Sequence, residues 1–158
     1  MSLPLSTLRA TTSLSRNPIS RHRAIPITPK QFHYAFTNTL SEEESLPIYE
    51  RYAIPGSRNV LLEGVNANFN PNTAVKVNFK NHDRAPLLFI AGDKDHIIPP
   101  AAVKANLKKY RKSEAISAYR EFSGRSHYIL GQDGWEEVAD YALTWAVEHA
   151  SGRQPVAR

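Results

Sequence analysis

The chain has 158 residues, enough to bury one hydrophobic core, and its 41% hydrophobic and 22% charged residues are typical of a globular protein rather than a disordered one. The sequence contains no cysteine, which excludes disulfides, thiolate nucleophiles and cysteine-ligated metals. No apolar run approaches the roughly 20 residues that cross a bilayer, so we expect a cytoplasmic protein without a membrane span.

The net charge of +5 comes from the amino-terminal segment, residues 1–30. Five of the 20 basic residues lie there without an acidic one, so the other 15 are balanced by 15 acidic residues in the rest of the chain. Because nucleic-acid-binding proteins carry basic residues as a stripe on a folded surface, this distribution argues against a nucleic-acid partner. We interpret the segment as a solvated cap or linker interrupted by prolines. An organelle transit peptide and a nucleic-acid-binding arm are the alternatives.

Two capping motifs predict short helices after the basic segment. Thr28 and Gln31 form a capping box with proline at the first helical position, where the missing N–H has no consequence. Ser41 and Glu44 form a second box, and acidic residues in its first turn interact favourably with the helix dipole. The second helix should end at about Tyr52, before an Ile-Pro-Gly sequence that stops helices.

Residues 57–83 are compatible with two structures. The apolar run 60–62 and the alternation of Val75, Val77 and Phe79 are typical of short strands. An irregular lid connected by asparagine-rich turns fits the same residues as well. The sequence leaves both alternatives open.

The carboxy-terminal half has a clearer pattern, in which strand, helix, strand and helix follow one another. The apolar run 86–91 has the length of a strand buried on both faces and ends at Gly92. A helix opened by two prolines follows, then a more mixed strand over 115–122 and a last helix from about 135 to 149. This order builds parallel strands through right-handed crossovers and therefore predicts an α/β fold.

Asp95 and His127 each follow the end of a predicted strand by a few residues. In an open parallel sheet, functional groups gather in the loops beyond the carboxyl ends of the strands, so these two side chains can come into contact. A carboxylate in that place would accept a hydrogen bond from the imidazole, fix its tautomer and stabilise the imidazolium ion. Asp93 lies closer to the strand end, and spacing alone does not separate the two aspartates.

The sequence APLLFIAGDKDHIIPP of residues 85–100, the loop FSGRSH and a tryptophan-containing last helix closely resemble the end of α/β-hydrolases of the serine-hydrolase, esterase-like type. In that family a strand-end pattern Gly-x-x-Asp-x-x-x-Pro supplies the acid of the catalytic triad, which matches Asp95 through Gly92 and Pro99. The loop after the last strand supplies the triad histidine, which matches His127. The resemblance therefore implies that Asp95 and His127 are catalytic residues.

The resemblance also implies how the chain is organised. Residues 84–150 correspond to the carboxy-terminal portion of the parallel sheet, its last two strands and their helices, and residues 31–83 to a helical cap with a connecting segment. Residues 151–158 are expected to be a disordered tail. The implied substrate is a small ester-like molecule and the implied reaction needs no cofactor. No metal is expected, because the histidines do not fall at metal-ligand spacing.

The sequence departs from the family at the nucleophile. The family's chain order places the nucleophile before the acid, yet the sequence contains no Gly-x-Ser-x-Gly motif, no aspartate counterpart and no glycine-rich oxyanion segment. Ser57 follows Gly56, but Pro55 and Arg58 are not the small residues that a sharp strand-to-helix turn requires. The resemblance thus implies the cap and final third of a hydrolase, inactive alone, through a biological truncation or a misdrawn reading frame.

A second hypothesis treats the chain as a non-catalytic remnant. A partial sheet exposes an unpaired edge and an uncovered apolar face. Such a chain would self-associate, or pair with the missing amino-terminal half, as an interaction module.

Overall fold

The computed structural model describes residues 24–57, 67, 70 and 72–150. The chain divides into two compact units, residues 1–78 (unit 1) and 79–158 (unit 2). Most of the basic segment, the apolar run 60–62 and the predicted tail 151–158 lie outside the described residues. The segment boundaries drawn from the sequence stay predictions.

Unit 1 contains a helical hairpin. Helix α1 spans Pro29–Phe36 and helix α2 spans Glu42–Tyr52, which confirms the predicted end of the second helix. The short strand β1, Ala24–Ile25, precedes the helices and pairs antiparallel with β2, Gly56–Ser57, which follows them.

Both predicted capping boxes are present. The backbone N–H of Gln31 donates to Thr28 Oγ1 at 3.3 Å, and Thr28 N–H donates to Gln31 Oε1 at 2.9 Å. Ser41 and Glu44 repeat the arrangement at the start of α2, with N–H to oxygen distances of 2.8 and 3.2 Å. Hydrogen bonds from the backbone and then the side chain of Ser41 lower the pKa of Glu44. Each box satisfies two backbone N–H groups that a helix start otherwise leaves without partners.

Aromatic side chains pack the two helices together. The buried ring of Phe32 stacks on Phe36 with centroids 4.9 Å apart and meets the edge of Tyr49 at 5.6 Å. The buried hydroxyl groups of Thr37 and Ser45 lie 2.6 Å apart and satisfy each other. The hairpin therefore has a small apolar core with one closed polar contact inside it.

The alternation around Val75 and Val77 forms turns. Thr73 N–H donates to Asn70 O at 3.2 Å and Lys76 N–H donates to Thr73 O at 3.3 Å, which closes two successive turns. Both valines are exposed. Of the two structures open for this segment, the described residues adopt the irregular one, because consecutive turns leave no extended run for strand pairing.

Unit 2 contains a parallel strand pair with helices after each strand. Strand β3, Leu87–Gly92, pairs with β4, Ser117–Phe122, in a register that joins Leu87 to Ser117 and Gly92 to Phe122. Helix α3, Pro100–Lys109, forms the crossover and continues into a 3₁₀ turn, and helix α4 spans Trp135–Ala150. The predicted α/β class is thereby confirmed at a coarse level.

Strand β4 is shorter than predicted, because it begins at Ser117 and not at residue 115. The guanidinium of Arg84 donates to the carbonyl of Ala115 at 2.9 Å and to the carbonyl of Ile116 at 3.0 Å. Ala115 N–H donates to Ser113 Oγ at 3.3 Å. The Ile116 carbonyl also accepts a hydrogen bond from Leu87 N–H at 3.0 Å, so side-chain partners replace the backbone pairing at Ala115 and not at Ile116.

The core of unit 2 lies between the strands and their helices. Ala91, Val103, Phe122 and Val138 are buried, and the ring of Phe122 meets the edge of Tyr141 with centroids 5.8 Å apart. This packing brings the starts of both helices to the carboxyl ends of the strands. Among the described residues, no helix combines the length and the hydrophobicity of a membrane span.

Candidate active site

Asp95 and His127 meet at the carboxyl edge of the parallel pair. Their shortest contact is 2.8 Å, between Asp95 Oδ2 and His127 Nδ1. The Asp95 side chain is 10% exposed and the His127 side chain 29% exposed, so the contact is sheltered but the imidazole still reaches solvent. The contact predicted from the strand ends is confirmed.

The turn after β3 fixes the carboxylate of Asp95. Oδ1 accepts hydrogen bonds from the backbone N–H groups of Ile97 and Ile98, both at 2.8 Å, which leaves Oδ2 directed at His127. Burial raises the pKa of Asp95, but the hydrogen bonds from His127, Ile98 and Ile97 lower it by more, so the pKa lies below its usual value. Asp95 is therefore an oriented carboxylate that is ionised at neutral pH.

Asp93 has other partners. Its Oδ2 lies 3.2 Å from Lys94 Nζ and accepts a hydrogen bond from Ser123 Oγ at 3.5 Å. The 2.8 Å contact with His127 Nδ1 is made by Asp95.

The two loops that carry the pair are joined by backbone contacts. Asp93 N–H donates to Phe122 O at 3.1 Å and Lys94 N–H donates to Arg125 O at 3.0 Å, which extends the parallel ladder past the strand ends. A Cβ on Gly92 would overlap the carbonyl group of Arg125. The glycine of the strand-end pattern is thus required for the close approach of the loop that carries His127, residues 123–134 (the histidine loop).

Hydrogen bonds between residues of the histidine loop stabilise its conformation. Ser126 is buried, and its N–H and hydroxyl donate to Gln132 Oε1 at 3.0 and 3.3 Å. The Gln132 amide in turn donates to Gly124 O at 3.1 Å, and Tyr128 N–H donates to Ser126 Oγ at 3.2 Å. Gly124 has a φ of +70°, which favours glycine at this turn. His127 therefore lies in a short loop whose two sides are joined by the hydrogen bonds of Gln132.

Sequence reasoning missed the residues that support His127, namely Arg125, Ser126 and Gln132. The guanidinium of Arg125 donates to the Gly134 carbonyl at 2.8 Å, nine residues further along the chain. Such contacts have no fixed spacing in the sequence. The one available signal is that a long charged side chain lies among the small residues Ser123, Gly124 and Ser126.

The Asp95–His127 pair can act as a general base. With Nδ1–H donating to the carboxylate, the lone pair of the neutral imidazole lies on Nε2, which can take a proton from a nucleophile. The ionised carboxylate would stabilise the imidazolium ion that results. Within the described ranges, no group of three or more His, Asp or Glu side chains could hold a metal ion.

No protein-family model matches the chain, and no curated protein matches it either. The geometry of the Asp95–His127 pair is therefore the basis on which a function is inferred.

Proposed function

We propose that this chain is part of a serine-type α/β-hydrolase that acts on esters or similar acyl substrates, with Asp95 and His127 as the acid and base of its triad. The observation that carries the proposal is the 2.8 Å contact between Asp95 Oδ2 and His127 Nδ1. Two further observations support the same class of enzyme. The pair lies beyond the carboxyl ends of two parallel strands, and the acid precedes the histidine in the chain.

In the proposed reaction, His127 Nε2 takes the proton of the serine hydroxyl as that oxygen attacks the acyl carbon. The same nitrogen then returns the proton to the leaving alcohol. Asp95 keeps Nδ1 protonated and stabilises the positive charge that forms on the ring. The backbone N–H groups of Ile97 and Ile98 hold Asp95 in the ionised form that this role needs.

The nucleophile would come from a segment outside these 158 residues, since the sequence has no Gly-x-Ser-x-Gly motif. Such a segment would supply a strand-to-helix turn and the oxyanion donors as well. On this account the chain alone is inactive toward esters. The substrate pocket would be shared between the segment and this chain, so its specificity is a property of both.

The proposal is tested with this chain joined to a nucleophile-bearing amino-terminal segment, sought as an in-frame Gly-x-Ser-x-Gly motif upstream in the gene. The joined protein should hydrolyse a simple aryl ester such as p-nitrophenyl acetate. His127→Ala should lower kcat at least about a thousandfold, and Asp95→Asn by a similar factor because it favours the wrong tautomer. His82→Ala, at the far end of unit 2 from the pair, is the matched control and should leave the rate unchanged. An unaltered rate in His127→Ala overturns the proposal.

A specific observation favours a second candidate, a self-associating interaction module. Leu143 and Val147 lie one helical turn apart on α4, and they are 64% and 63% exposed. Trp135 is also exposed and lies two turns before Leu143 on the same helix. A row of large apolar side chains on one helix is typical of a surface that another molecule covers.

A further inference from the structure

Arg125 lies two residues before His127 and is buried, with 9% of its surface exposed. Its guanidinium donates hydrogen bonds to the carbonyl oxygens of Asp133 and Gly134 and, at 3.2 Å, to the carboxylate of Glu137. All three acceptors belong to the first turn of α4 or to the turn before it. The Arg125 side chain therefore fastens the histidine loop to the start of α4.

The main chain of Arg125 makes contacts in the opposite direction. Its carbonyl oxygen accepts the hydrogen bond from Lys94 N–H, next to Asp95, and its backbone occupies the space that a Cβ on Gly92 would need. One residue thus connects three parts of unit 2: the turn that carries Asp95, the loop that carries His127, and the helix behind that loop.

Stability alone explains this placement poorly. A buried guanidinium loses its hydration, and a buried ion pair often contributes no more than apolar residues of the same volume. The cation also lies near the amino-terminal end of α4, where the helix dipole disfavours positive charge. Glu137 offsets that effect only in part, because its own side chain is 64% exposed. What the three hydrogen bonds provide is a fixed geometry, since the planar guanidinium presents its donors in a rigid fork.

We propose that Arg125 is a positioning residue, which holds the imidazole of His127 against the carboxylate of Asp95. The importance of that contact for catalysis rests on the proposed function, whereas the contact itself is a property of this chain. Without the guanidinium, the histidine loop would lose its attachment to α4 although both members of the pair remain. The two side chains would then separate for a larger fraction of the time.

An NMR titration of the Asp95 carboxyl carbon in the full 158-residue chain tests this role. Burial raises the pKa of Asp95 and the hydrogen bond from His127 lowers it, so His127→Asn should raise it. Arg125→Met should also raise the pKa of Asp95, although His127 is still present. Arg125→Lys should have a smaller effect, because one ammonium group reaches fewer of the three acceptors. Glu137→Gln is the matched control and should have the least effect, since both carbonyl acceptors remain.

The outcomes separate this proposal from the proposed function. If His127→Asn raises the pKa of Asp95 and Arg125→Met leaves it as in the wild-type chain, the positioning role is overturned and the pair stands. If His127→Asn leaves the pKa unchanged, the pair itself is contradicted and the proposed function fails. A purely structural role would lower the unfolding temperature of Arg125→Met without moving the pKa of Asp95. Should Arg125→Met not fold, Arg125→Lys decides in the same way: a raised pKa supports the role and an unchanged pKa overturns it.

Discussion

Gly92 ends β3 so close to Arg125 that a Cβ on residue 92 would overlap the Arg125 carbonyl group. The obstacle is backbone and not the end of a flexible side chain, so Gly92→Ala must push the histidine loop away from the strand end. We expect the substitution to destabilise unit 2 by about 1–3 kcal/mol. Urea unfolding followed by tryptophan fluorescence measures this unit, because both tryptophans lie in α4.

Gly56→Ala is the matched control for that experiment. A Cβ at Gly56 would meet nothing within 4 Å. The free energy of unfolding, followed by circular dichroism, should therefore change by no more than about 0.5 kcal/mol. Equal stability of Gly92→Ala and the wild-type chain would show that the histidine loop does not lie against the strand end as described.

Asp95 should make the stability of unit 2 depend on pH. Burial raises its pKa and the hydrogen bonds from His127, Ile98 and Ile97 lower it by more, so the folded-state pKa lies below the ordinary 3.8. A lowered pKa stabilises the folded state above the ordinary value, and this contribution is lost as the pH falls from that value through the folded-state pKa. At neutral pH, Asp95→Asn should be about 1–3 kcal/mol less stable than wild type. The amide oxygen can replace one carboxylate oxygen, so either His127 or the N–H groups of Ile97 and Ile98 lose their acceptor.

The measurement is urea unfolding of the wild-type chain and Asp95→Asn at a series of pH values. The difference between the two should persist above about pH 4 and should shrink below it, as the pH falls from the ordinary carboxyl pKa through the lower folded-state value. A difference that stays constant through the acid range is incompatible with an ionised, hydrogen-bonded Asp95.

The capping box of α2 should contribute measurably to unit 1. Ser41→Ala removes the acceptor of the Glu44 N–H group and the hydroxyl group that donates to the Glu44 carboxylate. We expect the free energy of unfolding to fall by about 1 kcal/mol. Thermal unfolding followed by circular dichroism measures it. Glu44→Gln keeps a side-chain acceptor at the third helical position and should lose less stability. A stability of Ser41→Ala equal to that of the wild-type chain would mean that the serine cap contributes little.

Exposed Leu143 and Val147 should drive self-association of the chain. In sedimentation velocity experiments at micromolar concentration, we expect the wild-type chain to form dimers or larger species and the double variant Leu143→Glu/Val147→Glu to be monomeric. Ala101→Glu/Asn106→Glu adds the same charge at exposed positions on α3, away from this row, and should associate like wild type. A monomeric wild-type chain counts against the interaction-module hypothesis.

Local signals in the sequence predicted the local features of this fold. Thr28 and Ser41 act on backbone groups three residues away, so both helix starts could be recognised from spacing alone. The strand over 87–92 is a continuous apolar run, which is typical of a strand in a parallel sheet. The meeting of an aspartate after β3 with His127 followed from the rule that parallel strands end at one edge, whereas the choice of Asp95 rested on the resemblance to α/β-hydrolases.

Other features depend on contacts that the sequence does not encode as spacing. Two aspartates lie within three residues of the end of β3, and the choice between them is made by the Ile97 and Ile98 N–H groups that orient Asp95. The Ala115 carbonyl just before β4 is bound by Arg84, more than 30 residues earlier in the chain. The supporting contacts of Arg125 likewise depend on a turn and a helix that follow it.

The hydrogen bond between Asp95 and His127 is the central claim, and the ¹⁵N and ¹H resonances of the His127 ring test it most directly. At alkaline pH, where the imidazole is neutral, the spectrum of the wild-type chain should show a protonated Nδ1 and an unprotonated Nε2, with the Nδ1 proton at low field. Asp95→Asn should abolish that low-field proton. A ring with its proton on Nε2 in the wild-type chain, or a spectrum that Asp95→Asn leaves unchanged, would contradict the account.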